Sequence, residues 1–205
     1  MIAPHPTPDP SDEALMLLYQ QGDHTAFAQL VRRHQKPLYN FVLRQVRMNQ
    51  VAEDIVQEAF VRVVQNARNF KPDARFTTWV YTITRNLCID QARKRAVRKH
   101  LSLDESKGEE KNGATLGEQT ADPRANVERN ASATELQKRI VRAVDMLPDD
   151  QREVFLLREG SSLPFKEIAD ITGTPENTVK SRMRYALERL QQALSEFEDY
   201  ARALR

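Results

Sequence analysis

The stretch 165–184, FKEIADITGTPENTVKSRMR, decides the fold of the C-terminal half of the chain. Its pattern predicts a helix over 164–171, a turn at 172–174 and a second helix, with Thr174 as N-cap and Pro175 at the first helical position. A helix-turn-helix needs a small residue where its helices cross, a permissive residue in the turn and an apolar anchor in the second helix. Counted from Phe165 as one, positions five, nine and fifteen hold these residue types: Ala169, Gly173 and Val179. The stretch therefore predicts a helix-turn-helix.

The second helix of this motif has a polar side suited to DNA. Its inward stripe is expected to contain Val179, Met183, Leu187 and Leu190. Basic and hydroxyl side chains lie off that stripe: Thr178, Lys180, Ser181, Arg182 and Arg184. Such groups at the start of a second helix fit phosphate anchoring and base readout in the major groove. A helical hairpin with a charged surface is the alternative interpretation. A further helix is predicted upstream, at 149–158.

The N-terminal part, 11–99, predicts four helices, and strand signals are missing from the whole sequence. The first helix follows Ser11 as N-cap and ends at Gly22, and the second crosses Pro37, where we expect a kink or a break. The third contains EDIVQEAFVRVV, 53–64, and the fourth starts near Arg75. One apolar stripe runs along the fourth helix: Phe76, Trp79, Val80, Ile83 and Leu87. The sequence thus predicts an all-α fold.

The third helix has two distinct faces. Ile55, Val56, Phe60 and Val63 are predicted to turn towards the core. The opposite side carries Asp54, Gln57, Glu58 and Val61 at i, i+3, i+4 and i+7, which places them on one face.

Polar and aromatic residues lie off the stripe of the fourth helix: Thr77, Tyr81, Thr84, Arg85 and Asn86. Flat rings, amides and guanidinium groups on one helix surface suit single-stranded bases, which offer faces for stacking and edges for hydrogen bonds. The helix then leads into a basic segment, 85–100, with six Lys or Arg against one acid. A solvated helix face is the alternative interpretation.

The composition breaks in the middle of the chain. Residues 104–128 hold seven acids against three basic residues, with almost no large apolar side chains. A segment of this kind cannot bury enough surface to offset its ordering entropy. We therefore predict a flexible acidic linker at 100–134 between two small helical domains, 11–99 and 135–195, followed by a tail, 196–205.

Composition also narrows the class of protein. The single cysteine, Cys88, permits no internal disulfide, and no spacing of Cys or His indicates a metal site, so we expect a cytoplasmic protein without metal or cofactor. No apolar run approaches the roughly 20 residues of a membrane span. The four histidines have no acid–base or ligand spacing, and nucleotide-binding and nucleophile motifs are missing, so we expect no enzyme and no catalytic residue.

The chain closely resembles the extracytoplasmic-function (ECF) sigma factors in the order of its motifs. These are DIVQEAF, FTTWVYTITRNLCIDQARKR, an acidic segment, LPDDQREVFLLRE and EIADITGTPENTVKSRM. The ECF sigma factors are the two-domain, minimal members of the bacterial housekeeping-sigma family. The resemblance implies a subunit that binds core RNA polymerase, directs it to promoters and helps to open the DNA. It implies core polymerase, promoter DNA and an anti-sigma factor as partners.

Site residues follow from the resemblance position by position. In the family, the helix matching 54–67 docks on the coiled coil of the largest polymerase subunit, which makes Asp54, Gln57, Glu58 and Val61 the candidate contacts. The loop FKPDAR, 70–75, matches the loop that captures a flipped base of the minus-10 element, and Asn86 matches a position that holds the opened strand. The minus-10 candidates are Phe70, Lys71, Asp73, Arg75, Tyr81, Arg85 and Asn86.

The helix-turn-helix 165–184 matches the minus-35 reader. Its candidates are Thr178, Lys180, Ser181, Arg182, Arg184 and Tyr185. Tyr185 and Leu187 stand where many relatives have arginine, and tyrosine cannot make the bidentate guanine contact of arginine. The minus-35 preference therefore cannot be transferred from relatives.

Two other classes compete with a sigma factor. A free-standing helix-turn-helix regulator explains the C-terminal unit and leaves DIVQEAF and the basic fourth helix without a task. A helical adaptor that binds only protein leaves the cluster from Lys180 to Arg184 unexplained.

Overall fold

The computed structural model describes residues 9–71, 73–103 and 127–203, with side chains described for 9–71, 73–97 and 136–195. Within these ranges every regular element is a helix, and the chain divides into two compact units. The predicted all-α fold with two helical domains is confirmed.

The first unit contains four helices and one short turn. They are α1 (Asp12–Gln20), α2 (His24–Val46), α3 (Asn49–Gln65), a 3-10 turn (Ala67–Asn69) and α4 (Phe76–Leu103). Ser11 caps α1 as predicted, since its Oγ accepts the N–H of Ala14 at 3.2 Å. Gly22 adopts a φ of +102° between α1 and α2, a conformation that favours glycine. Pro37 lies within α2 and does not divide it.

The predicted core face of α3 is confirmed, because Ile55, Val56, Phe60 and Val63 are all buried. These side chains close a core that α1 and α2 fill from the other side. The main contributors from α1 and α2 are Leu15, Met16, Leu30, Leu38, Phe41 and Val42. Burial of this kind is the main source of stability for helices that are marginal in isolation.

The inward face of α4 is rotated relative to the predicted stripe. Trp79 and Ile83 are half-buried, whereas Tyr81 and Thr84 are fully buried. The Tyr81 ring packs edge-to-face on Phe41, with centroids 5.4 Å apart. The Thr84 hydroxyl donates to the carbonyl of Val80 in its own helix at 2.8 Å, which lowers the cost of burying it. The placement of Tyr81 and Thr84 on an exposed face was therefore wrong.

The second unit contains four more helices and one π-helical turn. They are α5 (Val127–Asp145), α6 (Asp149–Phe155), the π-helical turn (Leu156–Gly160), α7 (Phe165–Thr172) and α8 (Glu176–Ala203). Helices α5 and α8 share a buried cluster: Ala143, Val144, Leu147, Ala186 and Leu190. Buried Arg152 donates to the carbonyl of Leu147 at 3.0 Å and so holds the turn between α5 and α6.

Two boundaries differ from the predictions. Helix α4 extends to Leu103 and α5 begins at Val127, so both helices enter the predicted linker 100–134, while 104–126 lies outside the described residues. Leu187 was predicted to face inwards and is 48% exposed. The stripe of α8 is instead completed by Ala186, which follows Val179 and Met183 at i+7 and i+3 and keeps the helical period.

Candidate functional site

The α3 face, defined as Asp54, Gln57, Glu58 and Val61, is exposed along its whole length. Val61 is 46% exposed and lies between the carboxylates of this face. The Nε of Arg62 lies 3.0 Å from the Oε1 of Glu58, an exposed i, i+4 ion pair that stabilises the helix only slightly. The sequence interpretation missed Val64, which is 42% exposed and lies one turn beyond Val61.

A cavity of about 340 Å³ lies where the chain passes from α3 to α4. We call it the loop pocket and define it by its lining: Asn69, Phe70, Lys71, Asp73, Ala74 and Trp79. Phe70 is buried, with its ring centroid 5.2 Å from that of Trp79, so it supports the pocket from within the core. Lys71 and Asp73 are exposed at the rim. The loop pocket therefore combines an aromatic floor with one cation and one carboxylate.

The other minus-10 candidates differ in their exposure to solvent. Arg75 and Asn86 are exposed, and Arg85 is half-buried. Tyr81 is 1% exposed and cannot contact a base without leaving the core, so its assignment as a DNA contact is corrected. Phe70, at 6% exposure, presents little surface beyond what lines the pocket.

The start of α1 is tied to α2 by a network that the sequence interpretation missed. The guanidinium of Arg33 donates to the Pro10 carbonyl at 2.7 Å and pairs with Asp9 and Asp12 at 2.7 and 2.8 Å. The Nε2 of His34, a largely buried side chain, lies 2.7 Å from Asp12. The hydrogen bond with His34, supported by Arg33, lowers the pKa of Asp12 although burial opposes this shift.

The helix-turn-helix geometry follows the predicted pattern. Gly173 ends α7 with a φ of +63°, and the N–H groups of Gly173 and Thr174 both donate to the carbonyl of Ala169. Helix α8 begins at Glu176, one residue later than predicted, and the Pro175 carbonyl accepts the N–H of Val179 at 3.1 Å.

Five of the minus-35 candidates lie on the exposed surface of α8: Thr178, Lys180, Ser181, Arg184 and Tyr185. Lys180 pairs with Glu176 at 2.7 Å, and the Ser181 hydroxyl donates to the Asn177 carbonyl at 2.9 Å. The guanidinium carbon of Arg184 lies 4.8 Å from the ring centroid of Tyr185, which is a cation–π contact. The first half of α8 therefore presents two cations, two hydroxyls and an aromatic ring.

Arg182, the sixth candidate, has a different environment. Its Nε lies 3.1 Å from the carboxylate of Asp150 at the start of α6, and its Nη1 donates to the Thr174 hydroxyl at 3.4 Å. The Arg182 side chain is 27% exposed, against 50% for Lys180 and 66% for Arg184. The structure thus connects Arg182 to α6 and to the turn of the motif.

The part of the chain that the structure describes contains no group of three or more His, Cys, Asp or Glu that could hold a metal ion. None of its helices is long and apolar enough to span a membrane.

Comparison with known proteins places both units. Residues 30–98 match the family model of sigma-70 region 2, and residues 137–190 match that of sigma-70 region 4. The ECF RNA polymerase sigma factor SigW of Bacillus subtilis is 33% identical over 175 residues, which are 85% of this chain and 92% of that protein. The ECF RNA polymerase sigma-E factor of Escherichia coli K12 is 33% identical over 182 residues, 87% of this chain and 91% of that protein.

A solved structure shares the fold. The sigma factor RpoE from Bartonella quintana, in complex with the anti-sigma factor NepR, superposes with a TM-score of 0.65 at 25% identity, over 82% of this chain and 96% of that one. Two sigma-70 regions in this order define a sigma factor. Because its relatives over nearly their full length are ECF proteins, the chain belongs to the ECF sigma factors of RNA polymerase. Sigma factors are non-catalytic initiation factors, and as a member of this class the chain binds core polymerase and directs it to specific promoters to initiate transcription.

Proposed function

We propose that three separate surfaces divide the work of this sigma factor. The α3 face docks on the coiled coil of the largest polymerase subunit, the loop pocket and the exposed side of α4 hold the opened minus-10 strand, and the start of α8 reads the minus-35 element. The observation that carries the docking assignment is the exposure of Asp54, Gln57, Glu58 and Val61 on one helix face whose other side is buried.

For polymerase docking, the α3 face offers an apolar centre between carboxylates. Exposed Val61 can bury its surface against a partner, while Asp54 and Glu58 can pair with basic side chains around it. The ion pair of Glu58 with Arg62 is exposed and weak, so Glu58 can exchange partners at little cost.

For the minus-10 element, the loop pocket supplies an aromatic floor and a polar rim for an extruded base. Unstacking a base costs a few kcal/mol, and a preformed pocket offsets this cost only for a base that fits it. The free energy that opens the DNA then comes from binding alone. Lys71, Asp73, Arg75, Arg85 and Asn86 are the proposed contacts, with Phe70 as the support beneath the pocket.

For the minus-35 element, Thr178, Lys180, Ser181, Arg184 and Tyr185 are the proposed contacts. We assign Arg182 a bracing role, because its half-buried guanidinium joins α8 to Asp150 of α6 and to Thr174 of the turn. The ion pairs of Lys180 with Glu176 and of Arg184 with Glu188 lie instead on the exposed surface of α8 itself. Tyr185 stacked with Arg184 favours contact with apolar base edges, such as the thymine methyl group, over the bidentate guanine contact of an arginine.

We also propose an anti-sigma factor as regulatory partner and the cytoplasm as location. The Bartonella quintana relative is seen with its anti-sigma factor NepR, and the α3 face is a surface that an inhibitor of polymerase docking can cover. Core polymerase and the chromosome, with which this chain works, are cytoplasmic.

Run-off transcription with purified core polymerase tests the function, and start-site mapping after overexpression supplies the promoters. We expect promoter-dependent transcripts that require both the chain and core polymerase. A free-standing regulator would instead bind its specific site with full affinity in the absence of core polymerase.

The docking assignment needs its own test. Asp54→Arg combined with Glu58→Arg should reduce capture of core polymerase by about a hundredfold or more, because two desolvated charge contacts of roughly 1.5 kcal/mol each become repulsive. Glu159→Arg with Asp170→Arg changes the net charge equally at two exposed carboxylates outside α3, and this control should retain binding. Equal loss in both variants would show that net charge, and not the α3 face, governs docking.

A further inference from the structure

Helix α1 holds both ends of the connection between α3 and α4. At its C-terminal end, the side-chain amide of Gln20 donates to the carbonyls of Ala67 and Phe70 at 2.7 and 3.0 Å. Near its N-terminal end, the carboxylate of Glu13 accepts the N–H of Phe76, the first residue of α4, at 3.1 Å. A helix of nine residues thus bonds to the chain on either side of the loop pocket.

These bonds fix the backbone from which the pocket is built. Phe70 supports the floor, and Phe76 begins the helical turn that carries Trp79, whose ring packs on Phe70 in the lining. Between the two points the chain makes a turn in which the Ala74 N–H donates to the Lys71 carbonyl at 3.1 Å. The positions of Phe70 and Trp79 in the lining therefore depend on α1, although no residue of α1 lines the pocket.

Helix α1 can bear this role because α2 holds it in place. Asp12 pairs with both Arg33 and His34, and Arg33 also bonds to the Pro10 carbonyl. These contacts come immediately before Glu13, so they fix the start of the helix that presents it. A continuous series of hydrogen bonds and ion pairs therefore runs from α2 through α1 to the chain around the loop pocket.

We propose that Gln20 and Glu13 are positioning residues that set the shape of the loop pocket and thereby its selectivity among bases. This rests on the proposed capture of a minus-10 base by that pocket. A preformed pocket rejects a wrong base because polar groups are left unpaired, whereas a loosened pocket adapts to it. Loss of the two residues should therefore lower discrimination between bases more than it lowers polymerase binding.

Isosteric variants separate this role from general stability. Gln20→Glu replaces the two-donor amide by a carboxylate that faces two carbonyl oxygens, and Gln20→Leu removes the donors without adding charge. The matched control is Gln21→Glu on the adjacent residue, which is exposed and whose side chain makes no hydrogen bond among the described residues. Glu13→Leu removes the acceptor of the Phe76 N–H and should lower base discrimination. Glu13→Gln keeps an acceptor for this N–H and should retain the discrimination.

The bonds from Gln20 and Glu13 to the chain around the loop pocket are called the clamp. Hydrogen exchange in the full chain, without DNA, tests whether this clamp holds the loop. The hydrogen-bonded amides of Asn69, Phe70 and Ala74 should exchange up to about thirtyfold faster in Gln20→Glu and Gln20→Leu, since two hydrogen bonds of about 1 kcal/mol each no longer oppose local opening. Gln21→Glu should match the parent chain. Unchanged exchange at these amides in both Gln20 variants would overturn the clamp.

Base discrimination tests the consequence. Holoenzyme is titrated with fork-junction DNA built on the mapped minus-10 sequence, with each of the four bases at the positions opposite the loop pocket. The ratio of affinities for the preferred and the poorest base should fall about tenfold in Gln20→Glu, which corresponds to about 1.4 kcal/mol, while capture of core polymerase stays unchanged.

The outcomes distinguish the two proposals. If the parent holoenzyme discriminates and Gln20→Glu discriminates equally well, the positioning role is refuted and base capture stands. If the parent shows no base preference that Lys71→Ala or Trp79→Ala alters, base capture by the loop pocket is refuted, and the exchange rates still decide whether α1 clamps the loop.

Discussion

The substitution Arg182→Ala distinguishes two roles for Arg182, an intramolecular brace between α8 and α6 and a contact to minus-35 DNA. The Arg182 side chain is 27% exposed and that of Asp150 is 50% exposed, so their 3.1 Å ion pair is partly screened and contributes about 0.5–1 kcal/mol. The partly buried stem of Arg182 adds packing of similar size. We therefore expect Arg182→Ala to destabilise the second unit by about 1–2 kcal/mol.

Hydrogen exchange of the α6 and α8 amides measures this destabilisation in the second unit separately from the first. Combined with Asp150→Ala, the double-mutant cycle should give a coupling energy of about 0.5–1 kcal/mol. Binding of minus-35 DNA is measured in parallel at several salt concentrations, below the temperature at which the variant unfolds.

The salt dependence gives the decisive difference. Lys180→Ala removes an ammonium group that we expect to bind a phosphate, so it should reduce the slope of log K against log salt by about 0.9. The slope for Arg182→Ala should equal that of the parent chain, because a brace neutralises no phosphate. A reduced slope for Arg182→Ala together with zero coupling to Asp150 would refute the bracing role and restore Arg182 as a phosphate contact.

Three further outcomes follow from buried or paired residues of the first unit. Tyr81→Ala should destabilise the first unit by about 3–5 kcal/mol in thermal unfolding, because a ring packed on Phe41 is removed from the core. Tyr81→Phe should leave minus-10 binding intact, and selective loss of that binding would return Tyr81 to the DNA surface. Asp12→Asn should lower stability at pH 7 by about 1 kcal/mol, through the weakened bonds to Arg33 and His34. Because the folded-state pKa of Asp12 is lowered from 3.8, its contribution is complete above that pH and is lost as the pH falls through the folded value, so chemical unfolding should show the two proteins converging below about pH 4.

Local periodicity predicted the helices and the exposed side of the first half of α8 well. The inward residues of α3 and the turn at Gly173 follow from spacing alone, because neighbours three and four apart share a face and a left-handed turn residue favours glycine. Periodicity was less reliable on α4. There a phenol and a hydroxyl were treated as polar, whereas Tyr81 packs on Phe41 and Thr84 bonds to its own helix.

Contacts between distant parts of the chain could not be predicted. Asp150 and Arg182 are 32 residues apart, and the bonds from Gln20 and Glu13 span 47 to 63 residues. No short-range pattern marks such partners, since glutamine and glutamate on a helix surface are common for solubility alone. The roles proposed for Arg182 and for α1 rest on these tertiary contacts and not on residue type.

Under the proposed capture of a minus-10 base by the loop pocket, the length of α4 sets a distance on the promoter. A continuous helix from Phe76 to Arg95 rises about 28 Å at 1.5 Å per residue, which equals roughly eight base pairs at 3.4 Å each. The pocket at one end and the cations Arg93, Lys94 and Arg95 near the other therefore belong to one rod. The helix therefore fixes a spacing. When a base occupies the loop pocket, its position also determines where along the phosphate backbone these cations make contact.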